Sequence, residues 1–269
     1  MTSTVRMYDF AYRNYDLDLY RQIQVEAYGE DFGQTGWVTA EESRQIPVLL
    51  NLNSSAIVLE IGSGSGGYAV HLAATVGCRI KGLDINPDGI RNSEALARER
   101  NLQTLAEFER CDLSKPWPVP NASYDAVFAN DVLCHIPDRR KAMEEIFRIL
   151  KLGGRMLFSD ALIVGGIVSY EEIAIRSSLG YYVYGPPAEN ERLIAAAGFH
   201  LLSAADTSRQ AAEIAERRQN ARSKRSEELI KIEGEDQFNG TQRFLACVKA
   251  LTSERRLLRY LYVAEKGQG

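Results

Sequence analysis

The sequence has few of the features of metal-binding, disulfide-bonded or membrane proteins. Its 269 residues include only four cysteines, with no C-x-x-C pair, and three histidines, so a Cys/His zinc site is not expected. No apolar run approaches the roughly 18–20 residues of a transmembrane helix, and the first ten residues contain no signal-peptide-like apolar stretch. We therefore expect a soluble, reduced, cytoplasmic protein.

The sequence also lacks an excess of charge of either sign. Its 32 lysines and arginines stand against 36 aspartates and glutamates, which gives a formal net charge of −4. Proteins that hold nucleic acid or an anionic membrane electrostatically carry a basic surface instead. We expect a small-molecule partner, no nucleic acid and no membrane, and the sequence leaves a homodimer open.

Short apolar runs alternate with amphipathic stretches along the chain, which is the pattern of β-α-β units. The runs typical of buried strands are 56–61, 78–83, 106–110, 124–129, 155–159, 200–203 and 258–264. This alternation predicts a doubly wound α/β fold with a parallel sheet and ligands at the C-terminal ends of the strands. We divide the chain into a cap over residues 1–50 and a main domain over 51–269. Within the main domain, substrate-covering inserts are expected at about 161–190 and 207–253.

A glycine-rich loop, Gly62-Ser-Gly-Ser-Gly-Gly67, separates the first strand from a predicted helix. Glycine allows left-handed backbone angles and lets a ligand approach the main chain closely. The loop alone is ambiguous, because it satisfies both the G-x-G-x-x-G pattern of dinucleotide-binding proteins and the G-x-G-x-G pattern of methyl-transfer enzymes. A tight turn without any ligand is the third interpretation.

Three acidic residues near this loop bear on the choice: the Asp84 position is shared with NAD-binding enzymes, and Glu60 favours a cationic cofactor. Asp84 ends the second strand, 22 positions after Gly62, where a carboxylate can accept from both ribose hydroxyls. Asp112 ends the third strand and can accept from an adenine amine beside Leu113, although aspartate is also common in turns. Glu60, two residues before the loop, would repel a pyrophosphate but would attract a sulfonium.

Together these residues resemble the motifs of class I S-adenosylmethionine-dependent methyltransferases. The matching segments, in the order of that superfamily, are 58–66, 82–85, 111–113, 124–127 and 150–154. The resemblance implies the Rossmann-like methyltransferase fold, with seven strands of which the last is antiparallel. It also implies a helical cap before the sheet and a helical insert between the last two strands.

The resemblance further implies S-adenosylmethionine as cofactor, S-adenosylhomocysteine as product and no metal. Asn130 would offer its main-chain carbonyl to the amino group of the cofactor. The expected cofactor-binding residues are Glu60, Gly62, Gly64, Asp84, Ile85, Asp112, Leu113, Asn130, Gln34, Thr35 and Gly36.

Within the superfamily, the chain is most similar to small-molecule enzymes of the phosphoethanolamine and sarcosine N-methyltransferase group. Residues 28–36 resemble the segment that closes over the cofactor in that group, and residues 130–135 resemble its R-D-x-x-x-H segment. The second segment implies a Tyr–His pair with His135 as the histidine, and Tyr15 lies one position from the place of the tyrosine. Asp131 is the third residue expected to take part in catalysis.

His135 could take a proton from an amine or hydroxyl as that group attacks the methyl carbon, and a nearby carboxylate such as Asp131 would favour its charged form. The alternative is a histidine that only packs at a helix start. Because positioning supplies most of the rate in methyl transfer, such a base is optional.

The acceptor-binding residues are expected to be Trp37, Arg176, Tyr181 and Tyr182. Their aromatic faces could hold a cationic amine or, equally, an apolar substrate. Ala161 replaces a tyrosine that contacts the phosphobase in the resembling group, so a phosphorylated acceptor is not supported.

The sequence thus predicts an S-adenosylmethionine-dependent enzyme of biosynthesis that methylates nitrogen or oxygen of a small metabolite by in-line displacement. The alternatives are a C-methyltransferase, an NAD-dependent oxidoreductase that uses the same glycine loop, and a cofactor-binding scaffold.

Overall fold

The computed structural model describes residues 5–267 of the chain. Over that range the strands are β1 (Ile57–Ile61), β2 (Arg79–Asp84), β3 (Ala106–Arg110), β4 (Tyr124–Asn130), β5 (Leu150–Val164), β6 (Phe199–Asp206) and β7 (Leu257–Lys266). The helices are α1 (Met7–Arg13), α2 (Asp18–Tyr28), α3 (Ala40–Leu49), α4 (Gly67–Val76), α5 (Pro87–Glu99), α6 (Arg139–Ile149), α7 (Tyr170–Arg176), α8 (Glu189–Ala196), α9 (Ser208–Ser223), α10 (Ser226–Glu233) and α11 (Glu235–Ser253). None of these helices is long and apolar enough to cross a bilayer.

The seven strands form one sheet in the order β3-β2-β1-β4-β5-β7-β6. Among the described strands, β7 alone runs antiparallel to its neighbours. The predicted doubly wound, mostly parallel sheet with an antiparallel last strand is confirmed. The strand order reverses between β1 and β4, and ligands of open α/β sheets bind at such a reversal.

The central strands are buried on both faces, which explains their continuous apolar sequences. Leu59 and Ile61 of β1 pack into the same core as Met143 of α6. Val58, the residue before Leu59 on the same strand, packs into the core on the other face together with Leu72 of α4, because side chains alternate along a strand. The helical layers on the two faces hold the C-terminal ends of β1, β2 and β4 at one edge.

The helix after β2 shows how the local sequence sets an element beside that edge. The Asn86 side chain accepts hydrogen bonds from the main-chain N–H groups of Asp88 and Gly89, and Pro87 occupies the first turn. An asparagine cap followed by proline is a strong helix start, because proline lacks an N–H that would stay unpaired there. The helix α5 therefore begins at Pro87, shortly after β2 ends at Asp84.

One strand differs from its prediction. We expected a strand over 155–159, with Gly153 and Gly154 ending the preceding helix, but α6 ends at Ile149 and β5 starts at the next residue. The two glycines lie instead in an irregularity of the pairing between β4 and β5. Since β5 continues to Val164, the chain leaves the sheet later than the expected insert boundary at about 161.

A buried ion pair joins three elements behind the edge of the sheet. Arg139 Nη1, at the start of α6, lies 2.5 Å from Asp160 Oδ2 on β5 and 2.8 Å from Asn190 Oδ1 on α8. Asn190 Nδ2 donates to the same Asp160 oxygen at 2.9 Å. Asp160 is fully buried, so removing its carboxylate would leave an uncompensated charge in the interior.

We predict that Asp160→Ala lowers the free energy of unfolding by about 3–5 kcal/mol, the usual result of breaking a buried pair. Urea unfolding followed by circular dichroism measures the change. Glu213→Ala is the matched control, because Glu213 pairs with Arg209 and Arg217 on the exposed face of α9. It should change the free energy by less than about 1 kcal/mol. Equal effects of the two variants would contradict the prediction.

Candidate active site

Two adjoining cavities lie at the C-terminal edge of the sheet, where the strand order reverses. The larger, which we call the cleft, has a volume of about 490 Å³. The smaller, which we call the side pocket, measures about 40 Å³. They share the lining residues Tyr12, Thr35, Gly36, Gly62 and Asn130. The cleft has the size of a small-molecule site.

Most of the predicted site residues meet at these two cavities. The cleft is lined by Thr35, Gly36, Gly62, Asp84, Ile85, Asp112, Leu113, Asn130, Asp131, His135 and Tyr181. The side pocket adds Gln34, Glu60 and Gly64. These residues come from six separate segments of the chain, and the fold brings them together. Their individual roles stay predictions.

The glycine loop bends tightly over the end of β2. The N–H groups of Gly62 and Ser63 donate to the carbonyl of Leu83 at 2.7 and 3.1 Å. Gly62 has a φ of +71°, and a Cβ atom there would lie 2.3 Å from Cγ2 of Val132. Both the backbone angle and the close approach require glycine at this position. The loop therefore presents bare main chain to the cleft.

Asp84 holds the loop in place from the end of β2. Its Oδ2 accepts from the N–H of Gly64 and its Oδ1 accepts from the N–H of Asn86, both at 2.8 Å. Burial raises the pKa of Asp84, and these hydrogen bonds oppose that effect. Carboxylate oxygens can accept more than one hydrogen bond each, so Asp84 can still receive hydroxyl groups from the cleft.

Glu60 is a buried carboxylate that lacks a countercharge. It is 2% exposed, and its Oε2 has no hydrogen-bond partner within residues 5–267. Burial raises the pKa of Glu60 well above its usual value, and the neighbouring charge of Asp84 raises it further. A cation bound between these two acids would favour their ionised forms. The charge distribution at this end of the site is therefore complementary to a positively charged ligand.

Asp112 lines the cleft while it also forms a local turn. Its Oδ1 accepts from the hydroxyl of Ser114 at 2.6 Å and from the N–H of Ser114 at 3.1 Å. Hydrogen bonds from Ser114 lower the pKa of Asp112, and Lys115 lowers it further. Ile85, which is 58% exposed, and Leu113 are apolar residues on the same wall. This wall combines apolar surface with one hydrogen-bond acceptor.

His135 presents one ring nitrogen toward a tyrosine hydroxyl. Its Nδ1 lies 3.0 Å from the carbonyl oxygen of Tyr181. Because a carbonyl only accepts, we assign the ring proton to Nδ1, which leaves the lone pair on Nε2. Tyr8 Oη lies 3.5 Å from Nε2 and 3.3 Å from Tyr182 Oη. Burial lowers the pKa of His135, so the imidazole is neutral at pH 7.

The carboxylate of Asp131 is hydrogen-bonded to groups other than His135. Its Oδ1 accepts from Arg259 Nε at 3.0 Å and from Ser159 Oγ at 2.9 Å. Its Oδ2 accepts from the N–H of Trp37 at 2.8 Å. The charge of Asp131 raises the pKa of His135 only slightly, and burial outweighs it. The side chain of Asp131 thus positions the chain around the cleft.

Tyr15 lies away from His135, so the expected pairing of these two residues is not present. It lines a separate cavity of about 620 Å³ between the cap and the helices α4 and α5. Tyr8 takes the place against His135, because α1 lies over the cleft and ends before Tyr15. Tyr8 and Tyr12 both line the cleft. Their spacing of four residues, which puts them on one helix face, is the signal that could have identified them.

Of the four predicted acceptor-binding residues, only Tyr181 lines the cleft. Arg176 is 2% exposed, and its guanidinium lies 4.8 Å from the ring centroid of Tyr182 and 6.0 Å from that of Trp37. Arg176, Tyr182 and Trp37 therefore pack together outside the lining of the cleft. The Tyr182 ring packs against His135 at a centroid distance of 4.4 Å. Arg176 and Trp37 therefore support the site from behind.

Known proteins with similar sequences point to one domain family. Residues 59–158 match the model of a methyltransferase domain. The matched region contains most of β1, all of β2 to β4, the glycine loop and His135, so it includes most of the cleft. Within the part of the chain that the structure describes, no cluster of three or more His, Cys, Asp or Glu side chains could hold a metal ion.

The individual proteins to which this chain is similar share only about a quarter of their aligned residues with it. Phosphoethanolamine N-methyltransferase from Triticum aestivum is 26% identical over 212 residues, which cover 79% of this chain and 41% of that protein. The chain thus spans less than half the length of this relative. The 27-O-demethylrifamycin SV methyltransferase from Amycolatopsis mediterranei is 27% identical over 168 residues, or 59% of this chain and 61% of that protein.

A solved structure confirms the Rossmann-like methyltransferase fold. Haemonchus contortus phosphoethanolamine N-methyltransferase 2, solved with phosphomonomethylethanolamine and S-adenosylhomocysteine, superposes with a TM-score of 0.80 at 19% identity. The match covers 97% of this chain and 60% of that chain. The structural similarity therefore extends beyond residues 59–158 to the helices around them.

We predict that the imidazole of His135 titrates below pH 6.5, because burial disfavours its charged form more than Asp131 favours it. Histidine-selective NMR over pH 4–8 measures this, and the spectrum of His135→Gln identifies the resonance. At pH 7 the nitrogen shifts should show the neutral ring with the proton on Nδ1. A titration midpoint above 6.5 would mean that Asp131 controls the protonation of His135.

Proposed function

We propose that this protein transfers a methyl group from S-adenosylmethionine to a nitrogen or oxygen atom of a small molecule. The observation that carries the proposal is the buried, uncompensated carboxylate of Glu60 beside the glycine loop, in a cleft that also presents Asp84. A sulfonium with an amino-acid end supplies the missing positive charge, whereas a pyrophosphate would be repelled. The methyltransferase domain around this cleft supports the same function.

The residues present fit S-adenosylmethionine along the whole site. Asp84 would accept from the ribose hydroxyls, and Asp112, with Ile85 and Leu113 on the same wall, would hold the adenine. Gly62 would face the methionine part, which extends into the side pocket beside Glu60. The two cavities share their lining at Gly62, so one elongated ligand can occupy both.

When bound, this cofactor would supply a methyl carbon bonded to a sulfonium sulfur, and that sulfur is a good leaving group. The residues of the chain then have to hold the acceptor in line and receive its proton, and positioning of this kind contributes about 7–11 kcal/mol to lowering a barrier. The neutral Nε2 of His135 takes the proton from the attacking amine or hydroxyl. The Tyr181 carbonyl fixes the ring orientation through Nδ1, and Tyr8 lies 3.5 Å from Nε2.

The acceptor would occupy the part of the cleft that Ile136 and residues 179–181 line, near His135. The names of the two relatives describe an N-methyltransferase and a 27-O-demethylrifamycin methyltransferase, and a neutral imidazole serves either kind of acceptor. We also propose a cytoplasmic role in biosynthesis. All four cysteines lie within the described range and are free, as is usual in a reducing compartment.

We predict that Asp84→Ala weakens the binding of S-adenosylhomocysteine by about tenfold to a hundredfold, because hydrogen bonds from the ribose to a charged group are lost. Titration calorimetry measures the dissociation constant. Asp236→Ala, which removes an exposed carboxylate from the first turn of α11, should bind like the wild type. Binding of NAD but not of S-adenosylhomocysteine to the wild type would refute the proposed function.

We predict that His135→Ala lowers kcat by about a hundredfold and leaves the affinity for the cofactor unchanged, because only proton transfer is affected. In the wild type, kcat/KM should fall as the pH drops below 6.5, since the base becomes protonated, and the variant should lose this acid limb. His200→Ala, at an exposed position, is the control. Parallel loss of activity and cofactor binding would indicate a structural role for His135.

A further inference from the structure

Residues 34–37 form a segment that connects the cap to the site and that we call the bridging segment. Thr35 and Gly36 line both the cleft and the side pocket, and Gln34 lines the side pocket. The segment lies outside every helix and strand, and the main-chain hydrogen bonds of the described turns and loops do not include it. Its position in the site therefore depends on side chains of other elements.

Three successive main-chain carbonyls of the bridging segment accept hydrogen bonds from such side chains. The pairs are Gln24 Nε2 with Gln34 O at 3.0 Å, Arg218 Nη1 with Thr35 O at 2.9 Å, and Tyr28 Oη with Gly36 O at 2.8 Å. Gln24 and Tyr28 belong to α2 in the cap, whereas Arg218 belongs to α9, 183 residues after Thr35. The middle contact thus joins the bridging segment to the insert between the last two strands.

Arg218 is a buried cation without a carboxylate partner. It is 7% exposed, and the ion pairs found among residues 5–267 do not include it. Its guanidinium lies 5.3 Å from the ring centroid of Trp37 and 5.9 Å from that of Tyr28, and Nη2 lies 3.1 Å from Met7 Sδ. Contacts with ring faces partly offset the loss of hydration. Since burying a charge is costly, an apolar residue would be expected here if packing were the only requirement.

The helix α9 carries a second buried arginine that serves for comparison. Arg222, one turn after Arg218, is 6% exposed, and its Nη2 lies 2.6 Å from Glu233 Oε2. This pair joins α9 to α10, so it holds the insert together. Arg218 directs its hydrogen bond to the bridging segment instead. The two arginines therefore separate the stability of the insert from its contact with the site.

We propose that Arg218 is a positioning residue that fixes the bridging segment in the wall of the cofactor site. By holding the Thr35 carbonyl, it keeps Thr35 and Gly36 in the lining of the cleft and the N–H of Trp37 on the carboxylate of Asp131, 2.8 Å away. The inference rests on the proposed function for the identity of the ligand. It gives the insert a part in forming the site, beyond the covering of substrate that the sequence predicts.

The experiment uses Arg218→Met, which keeps an unbranched side chain but removes the donors to Thr35. Calorimetry should show an affinity for S-adenosylhomocysteine about tenfold lower than that of the wild type, because a hydrogen bond from a charged group is lost. Arg218→Lys, which can still donate to the carbonyl, should recover most of this loss. In the ligand-free Arg218→Met variant, hydrogen exchange of the peptide that contains the bridging segment should be about fivefold or more faster, as mass spectrometry can measure.

Two variants of the same helix serve as controls. Arg217→Met removes an exposed arginine that lies 3.6 Å from Glu213, and it should match the wild type in both measurements. Arg222→Met leaves the buried side chain of Glu233 without its cation, so it should lower the thermal midpoint while the folded protein keeps its affinity for S-adenosylhomocysteine.

Wild-type affinity and wild-type exchange in Arg218→Met would overturn the inference. A lower thermal midpoint with unchanged affinity, the pattern expected of Arg222→Met, would also overturn it, because Arg218 would then only stabilise the insert. If the wild type binds no S-adenosylhomocysteine, the proposed function fails, and the exchange measurement still tests whether Arg218 positions the bridging segment.

Discussion

The geometry of the site depends on one buried ion pair between the last strand and the end of β4. Arg259, fully buried on β7, donates from Nε to Asp131 at 3.0 Å and from Nη1 to Glu42 at 2.6 Å. Asp131 adopts a φ of +57°, an unusual backbone conformation for a residue other than glycine. The surrounding hydrogen bonds hold it there, and through the N–H of Trp37 they also fix the cap segment against the cleft. A residue of the last strand, β7, thus fixes the geometry of a site whose residues lie mostly at the ends of earlier strands.

The site divides into two regions of different electrostatic character. Around the glycine loop, Glu60 and Asp84 make a buried acidic region, where burial raises the pKa values of both carboxyls. Around His135, the groups are a neutral imidazole and the aromatic rings of Tyr8 and Tyr182. A cation therefore fits the first region, and a group that gives up a proton fits the second. The proposed methyl transfer would use the first region to hold the cationic cofactor and the second to accept a proton.

The sequence predicted the sheet and most of the cleft because both depend on local patterns. Apolar runs followed by turns placed the strands, and residues at or just after the C-terminal end of a parallel strand lie at the ligand-binding edge, as Asp84 and Asp112 do. The partner of Asp131 could not be predicted in this way. Arg259 lies 128 residues away and meets it only because β7 inserts beside β5. Tyr15 was misplaced for a related reason: the end of α1 decides which tyrosine faces His135.

The helix α1 serves both regions at once. Tyr8 lies against His135, and the hydroxyl of Tyr12 lies over the glycine loop, 2.9 Å from where a Cβ of Gly64 would be. With seven residues, α1 is too short to be stable by itself, and it is held by contacts such as the hydrogen bond from Asn92 to the Tyr12 carbonyl. Any displacement that uncovers Gly64 for cofactor exchange also withdraws Tyr8 from the imidazole. The contact of Tyr8 with the imidazole and the cover of Tyr12 over the glycine loop thus depend on the position of one short helix.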